Sequence, residues 1–255
     1  MRHMVLIFAI VLMGCDKYPV STGIKFDVAG SSGAHTPVYR NTEGNMLGYY
    51  EYLPKEFDEN SNVKYPVIFY WNGKNAIKGN GKKQLKRLLL QGLSKNIDNG
   101  KHYKAIVITP QLFKGDWKSI DVDPFVSYIL KRYEDYIDTR RVYMTGFSAG
   151  GGISINYALS HADKLAAIVP VSPAIRFAVE EDKSNSINKL GVWFFHNRGD
   201  DVISFNRSIS WLKVLSDNDD IHKLTIYDED GHHAWQRAYD EPALWDWLLS
   251  QKQNH

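Results

Sequence analysis

A chain of 255 residues with 44% hydrophobic and 13% aromatic residues can bury one large core, so a single catalytic-sized domain is expected. Lysine and arginine number 31 against 29 acidic residues, a near balance that supplies no strong overall field for nucleic acid or anionic polymers. A nucleic-acid partner is therefore not expected, and a single cysteine excludes an internal disulfide.

At the N-terminus, Arg2 and His3 precede an unbroken apolar run over residues 4–13. That is the layout of a secretory signal, and the run is too short to span a bilayer. It closes on Leu12-Met13-Gly14-Cys15, which resembles the lipobox of bacterial lipoproteins. The resemblance implies removal of residues 1–14 and acylation of Cys15, giving an exported protein held on the periplasmic or cell-surface side of a membrane by its lipid. Each buried methylene of such a lipid contributes about 0.8 kcal/mol to attachment. An uncleaved signal anchor, or a cysteine simply buried in the apolar run, is the alternative. Residues 15–35 then form a tether or first strand, and 36–255 the catalytic domain.

The remainder alternates apolar β-type runs with helical patterns and shows no internal repeat. Strands are expected at 47–53, 66–71, 104–109, 141–146, 165–171, 192–196 and 223–227. Several are near-continuous Val, Ile and Phe runs, as strands buried on both faces of a parallel sheet require. Helices are expected at 82–96, 124–136, 148–161, 205–216 and 242–251. In the first of these, Lys82, Lys83, Lys86 and Arg87 alternate with Leu85, Leu88 and Leu89, which reads as the wet face of an amphipathic helix. Only about twenty residues separate the strand ending near Val171 from the one starting at Val192, little room for a cap.

Gly146-Phe147-Ser148-Ala149-Gly150 fits G-x-S-x-G, with a strand before it and a glycine-rich helix start after it. A sharp strand-to-helix turn lifts the serine oxygen clear of the sheet, and the flanking glycines avoid clashes that side chains would cause. A serine hydroxyl needs a base to take its proton and a carboxylate to orient that base. Both follow in order: a polar loop with Asp200 and Asp201 after the strand at 192–196, then Gly231-His232-His233 after the strand at 223–227. Asp201 and His233 are rivals to Asp200 and His232, while His196 reads as a loop residue at a strand end and His161 and His222 as surface residues near helix and strand ends. No metal-ligand spacing and no phosphate-binding loop is present, so no cofactor is implied.

From Leu47 to Gln251 the chain resembles the secreted α/β-hydrolases grouped as predicted peptidases and esterases, related to polyhydroxybutyrate depolymerases and feruloyl esterases. The resembling stretches are 47–54, Pro110-Gln111 with Gly115 and Trp117, Ile137-Asp138 with 140–143, the Ser148 turn, and Gly231-His232 with Trp235 and 244–249. The resemblance implies an α/β-hydrolase fold, a mainly parallel sheet with helices on both faces and little or no cap. It selects Asp200, four residues after a histidine, as the acid, and His232, three residues before a tryptophan, as the base. Two backbone amides would stabilise the oxyanion, from Ala149 and from Lys74 in a loop where the group usually has His-Gly and this chain has Asn72-Gly73. Trp117 and Trp235 either line the substrate pocket or pack beside the sheet. The expected function is hydrolysis of short acyl or aryl carboxylic esters, including esters on polysaccharides, through an acyl-enzyme on Ser148. A serine peptidase, and a glycan-binding protein on an inactive hydrolase scaffold, are the alternatives.

Overall fold

The computed structural model describes residues 30–39, 46–76, 82–112, 120–175, 185–215 and 218–253. The eight strands are β1 (His35–Tyr39), β2 (Met46–Tyr52), β3 (Tyr65–Trp71), β4 (Ile106–Leu112), β5 (Ile137–Phe147), β6 (Ala167–Val171), β7 (Gly191–Gly199) and β8 (His222–Asp230). They form one sheet in the order β1-β2-β4-β3-β5-β6-β7-β8. β1 and β2 pair antiparallel, β2 joins β4 antiparallel, and every pairing from β4 to β8 is parallel.

Seven helices were found among the described residues: α1 (Lys82–Leu85), α2 (Gly92–Asp98), α3 (Asp123–Arg132), α4 (Ala149–His161), α5 (Asn206–Leu212), α6 (Trp235–Ala238) and α7 (Pro242–Ser250). Successive strand residues point to opposite faces, so each face has its own core. Phe69, Met144 and Phe194 pack with Phe125 of α3, Ile153 of α4 and Trp211 of α5. Ile68, Tyr143 and Phe195 pack on the other face with Leu93 of α2, Trp235 of α6 and Trp247 of α7. Both faces of β3 are buried throughout, which explains its unbroken apolar sequence.

Two expectations need correction. The helix expected over 82–96 is broken into α1, a 3-10 turn at Lys86–Leu90, and α2, with Gln91 extended at φ −143°, ψ 154°. The break is tertiary in origin. At φ +62° Gly92 sits against the Tyr70 hydroxyl, 1.7 Å from where a Cβ would lie. The carbonyls freed by the break are taken up by side chains: Leu88 O accepts from Asn72 Nδ2 (3.3 Å) and Ser94 Oγ, and Gln91 O from Tyr70 Oη (3.3 Å). The helix expected over 124–136 stops at Arg132 and turns back into β5.

At the N-terminal edge β1 crosses the boundary drawn at residue 35, and ordered contacts reach further back: Gly30 N donates to Glu51 Oε1 at 2.9 Å and Gly33 N to Leu53 O at 2.9 Å. Cys15, Trp117 and the middle of the 171–192 connection lie outside the described residues.

Candidate active site

The parallel strands end together along one edge, and strand order reverses about β3 and β5, the place where open α/β sheets form a crevice. Ser148 stands there between β5 and α4 at φ 55°, ψ −115°, a conformation that costs about 1–3 kcal/mol in a non-glycine residue. It is held from both sides: Ser148 N donates to Val171 O (2.9 Å), and Ser148 O accepts from Gly152 N (3.1 Å) and Ala174 N (2.9 Å). The flanking glycines are steric necessities. A Cβ on Gly150 would lie 1.9 Å from Trp71 O, and one on Gly146 would lie 2.4 Å from the Gly150 carbonyl carbon. The amide of Ala149 is the first of α4, where N–H groups have no partner within the helix.

Asp200 follows β7 and His232 follows β8, and pairing of those strands brings the two loops side by side. The ladder shifts register between Asn197 and Gly199, and Gly231 turns the chain at φ +76° with its N–H on Gly199 O at 2.8 Å. Asn197, buried at the end of β7, ties the loops together by donating from Nδ2 to Asp230 O (3.2 Å) and Gly231 O (3.0 Å). The result is a 2.7 Å contact between His232 Nδ1 and Asp200 Oδ2. The remaining oxygen of that carboxylate, Oδ1, accepts from Ile203 N (2.8 Å) and Val202 N (3.0 Å).

A third side chain completes this arrangement. His196 is fully buried on β7, with Nε2 3.2 Å from Asp200 Oδ2 and 2.9 Å from Ile203 O, and Nδ1 2.9 Å from Ser208 Oγ. Nε2 faces two acceptors and therefore carries the proton, leaving Nδ1 to accept from Ser208. Burial pushes the Asp200 carboxyl up, but hydrogen bonds from His196, His232 and the Ile203 amide, with the charge of His232, outweigh it and hold the group well below the usual carboxylate range. Asp200 is thus an ionised acceptor for two imidazoles.

His232 packs its ring on Phe147, the residue before Ser148, with centroids 4.7 Å apart, and its Nε2 is buried without a hydrogen-bond partner. The free nitrogen is the one a serine hydroxyl or a leaving group would use. The rivals point elsewhere. Asp201 is exposed, and His233 Nδ1 lies 3.4 Å from Asn197 Nδ2.

The loop after β3 lies under the turn: a Cβ on Gly73 would be 3.1 Å from the Phe147 ring, and Asn72 is buried with its side chain turned inward to Leu88 O. Lys74 is exposed and opens the 3-10 turn at Lys74–Ala76, whose last residue is buried. Trp235 is buried against Phe147 at 6.4 Å, with Lys95 Nζ 5.5 Å from its ring centre, so it backs the site as packing. In the sequence His196 reads only as a strand-end residue and Asn197 gives no signal, because both residue types are ordinary there; His222, expected at the surface, is buried at the start of β8. Only the four-residue spacing from His196 to Asp200 hinted at a link.

Among the described residues no group of three or more His, Cys, Asp or Glu is placed to hold a metal ion. No helix among them is long and apolar enough to cross a membrane.

Residues 121–241, which span Ser148, Asp200 and His232, match the family described as phospholipase/carboxylesterase. Feruloyl esterase D of Neurospora crassa is 31% identical over 146 residues, 54% of this chain and 49% of that protein. A bifunctional acetylxylan esterase/xylanase of Neocallimastix patriciarum is 30% identical over 96 residues, 38% of this chain and 13% of that protein. The chain thus spans about half or less of the curated relatives it matches. A solved feruloyl esterase module from Clostridium thermocellum, complexed with sinapinate, superposes with a TM-score of 0.60 at 17% identity, covering 93% of this chain and 98% of that one. At that identity the likeness concerns the fold.

Proposed function

We propose that this chain, an α/β-hydrolase, is a serine esterase that cleaves carboxylic esters with short acyl or aryl groups, including esters carried on polysaccharides. The observation that carries the reading is the Asp200–His232 pair, whose free Nε2 stands against the residue preceding a strained Ser148. In the reaction His232 Nε2 takes the Ser148 hydroxyl proton as the oxygen attacks the ester carbonyl. The negative oxygen of the tetrahedral adduct is met by the Ala149 and Lys74 amides. His232 then returns the proton to the leaving alcohol, the acyl group stays on Ser148, and water activated by the same nitrogen releases the acid. Asp200 fixes the Nδ1–H tautomer and stabilises the imidazolium, and His196 positions Asp200 without touching the substrate.

Supporting the short-acyl preference is the brevity of the 171–192 connection, since a long acyl chain needs matching apolar wall at about 0.8 kcal/mol per methylene. The test is labelling by a fluorophosphonate probe, abolished in Ser148→Ala, together with kcat/KM on nitrophenyl esters of two to about sixteen carbons and on methyl ferulate. A maximum at long chains refutes the preference, and absence of labelling refutes the hydrolase. The same proposal includes export and acylation at Cys15, supported by the apolar run that precedes it. Cys15→Ser should then leave the membrane fraction or stall in signal processing, and retention of Met1 in soluble cytoplasmic protein would refute it.

A further inference from the structure

The connection between β3 and β4 carries a charge bias that the even overall balance conceals. Residues 72–97 hold seven Lys and Arg and no Asp or Glu, leaving −5 on the rest of a chain whose net charge is +2. Lys83, Lys86 and Arg87 are exposed on turns that bury Leu85 and Leu88, and Lys74 is exposed on the turn after β3. Among the described residues no carboxylate lies within ion-pair distance of these four. Ion pairs do form on other segments, where Arg141 meets Asp138 at 2.9 Å, Lys164 meets Asp123 at 2.6 Å, Arg237 meets Glu229 at 3.0 Å and Lys101 pairs with Asp240, while Lys55, Lys104 and Lys213 also have no ion pair among the described residues; what sets 72–97 apart is that it holds no acidic residue at all. Cations left unneutralised on one segment sum to a local positive potential that reaches about a Debye length, roughly 8 Å at physiological salt. The near balance over the whole chain therefore conceals a local positive segment able to attract an anionic polymer.

The segment also borders the reaction site. It begins in the loop under the Ser148 turn, and Gln91 Oε1 lies 3.3 Å from the position of a Cβ on Gly73. Lys95 stands over Trp235, which packs on Phe147, which in turn packs on His232. A polymer held along these side chains would be presented beside Ser148.

We propose that the exposed face carrying Lys74, Lys83, Lys86 and Arg87 is a docking surface for a carboxylate-bearing polysaccharide, one rich in uronic acid, which it holds while Ser148 removes ester groups from the same polymer. The inference rests on the esterase reading and names its substrate class. A polyuronate repeats its charge along the chain, and flexible lysines, each a mobile point charge, suit such a diffuse array better than a single fixed anion. Adjacency to the reacting serine favours a substrate over an anionic membrane or a nucleic acid, because attraction here is coupled directly to turnover.

The experiment compares the full chain with the triple variant Lys83→Gln, Lys86→Gln, Arg87→Gln on acetylated polygalacturonate, acetylated glucomannan and 4-nitrophenyl acetate. Wild-type kcat/KM on the acidic polymer should exceed that on the neutral one. It should fall about tenfold between 50 and 200 mM NaCl, the scale on which a few cations bound to a polyanion respond to salt. In the triple variant it should be about tenfold lower at 50 mM and nearly flat with salt, while 4-nitrophenyl acetate is turned over at the wild-type rate. Equal kcat/KM on the two polymers, or an unchanged rate on polygalacturonate in the variant, would overturn the proposal. So would a variant that loses only its binding to phosphatidylglycerol vesicles or to a DNA oligonucleotide. Calorimetric binding of unesterified polygalacturonate to Ser148→Ala protein reads the surface without turnover. Retained binding by a chain that cleaves no ester would count against the esterase reading alone.

Discussion

His196 offers a sharp test of how the acid is held. Replacing it with Phe keeps an aromatic ring in a fully buried position but removes the proton that Nε2 shares between Asp200 Oδ2 (3.2 Å) and Ile203 O (2.9 Å). It also leaves the Ser208 hydroxyl without its 2.9 Å partner. A hydrogen bond to a charged group contributes about 1.5–3 kcal/mol, and Asp200 retains three other donors, from His232, Val202 and Ile203. With one donor gone the carboxylate is held less firmly against His232 Nδ1. Looser orientation of the pair should lower kcat about tenfold to hundredfold with KM little changed, by analogy with the range for groups that orient metal-bound histidines from behind. The assay is kcat and KM separately for 4-nitrophenyl acetate in wild type, His196→Phe, His196→Gln and Ser208→Ala. The Gln side chain can still donate and should recover part of kcat. A drop in melting temperature in His196→Phe with kcat unchanged would refute a positioning role.

Three further outcomes are expected. Ser148→Ala and His232→Ala should lower turnover by up to about a millionfold and Asp200→Asn by about ten-thousandfold, while Asp201→Asn and His233→Ala stay within about tenfold of wild type in the same assay. Gly150→Ala should yield little soluble protein, or a melting temperature many degrees lower, because its Cβ would sit 1.9 Å from the Trp71 carbonyl oxygen. Acid should destabilise the fold in a defined window. In Asp200, Asp123 and Asp138, burial pushes the carboxyl up, but hydrogen bonds and neighbouring cations outweigh it and hold each below the usual value of 3.8. Carboxyls depressed in the folded state stabilise it above the unfolded value and lose that contribution as pH falls through their folded values. Urea midpoints should therefore hold steady down to about pH 4 and decline below it, and Asp123→Asn should flatten the decline.

Local sequence carried most of the strand layout and the turn at Ser148. The runs around Phe69, Met144, Ile168 and Phe194 are apolar on both faces because their strands are buried on both faces, and Gly146 and Gly150 mark a place where only a hydrogen fits against the backbone of Trp71. Such features are legible because a near-neighbour constraint writes itself into adjacent residues. The order Ser148, Asp200, His232 was legible too, as a motif order. Choosing between His232 and His233 from the residues alone rested on spacing. What sets it physically is a bulge in the β7–β8 ladder and a positive φ at Gly231, which aim one ring at Asp200 and leave the other beside Asn197. The break at Gln91 and the burial of His196 belong to the same class. A helical pattern over 82–96 gives way because Tyr70, far away in sequence, places its hydroxyl against Gly92, and His196 becomes a partner of Asp200 because the loop at 200–203 folds back over it. Hydrogen-bond geometry at the few-ångström scale depends on which strands lie side by side, and that is settled by the packing of the whole sheet rather than by any stretch of chain read on its own.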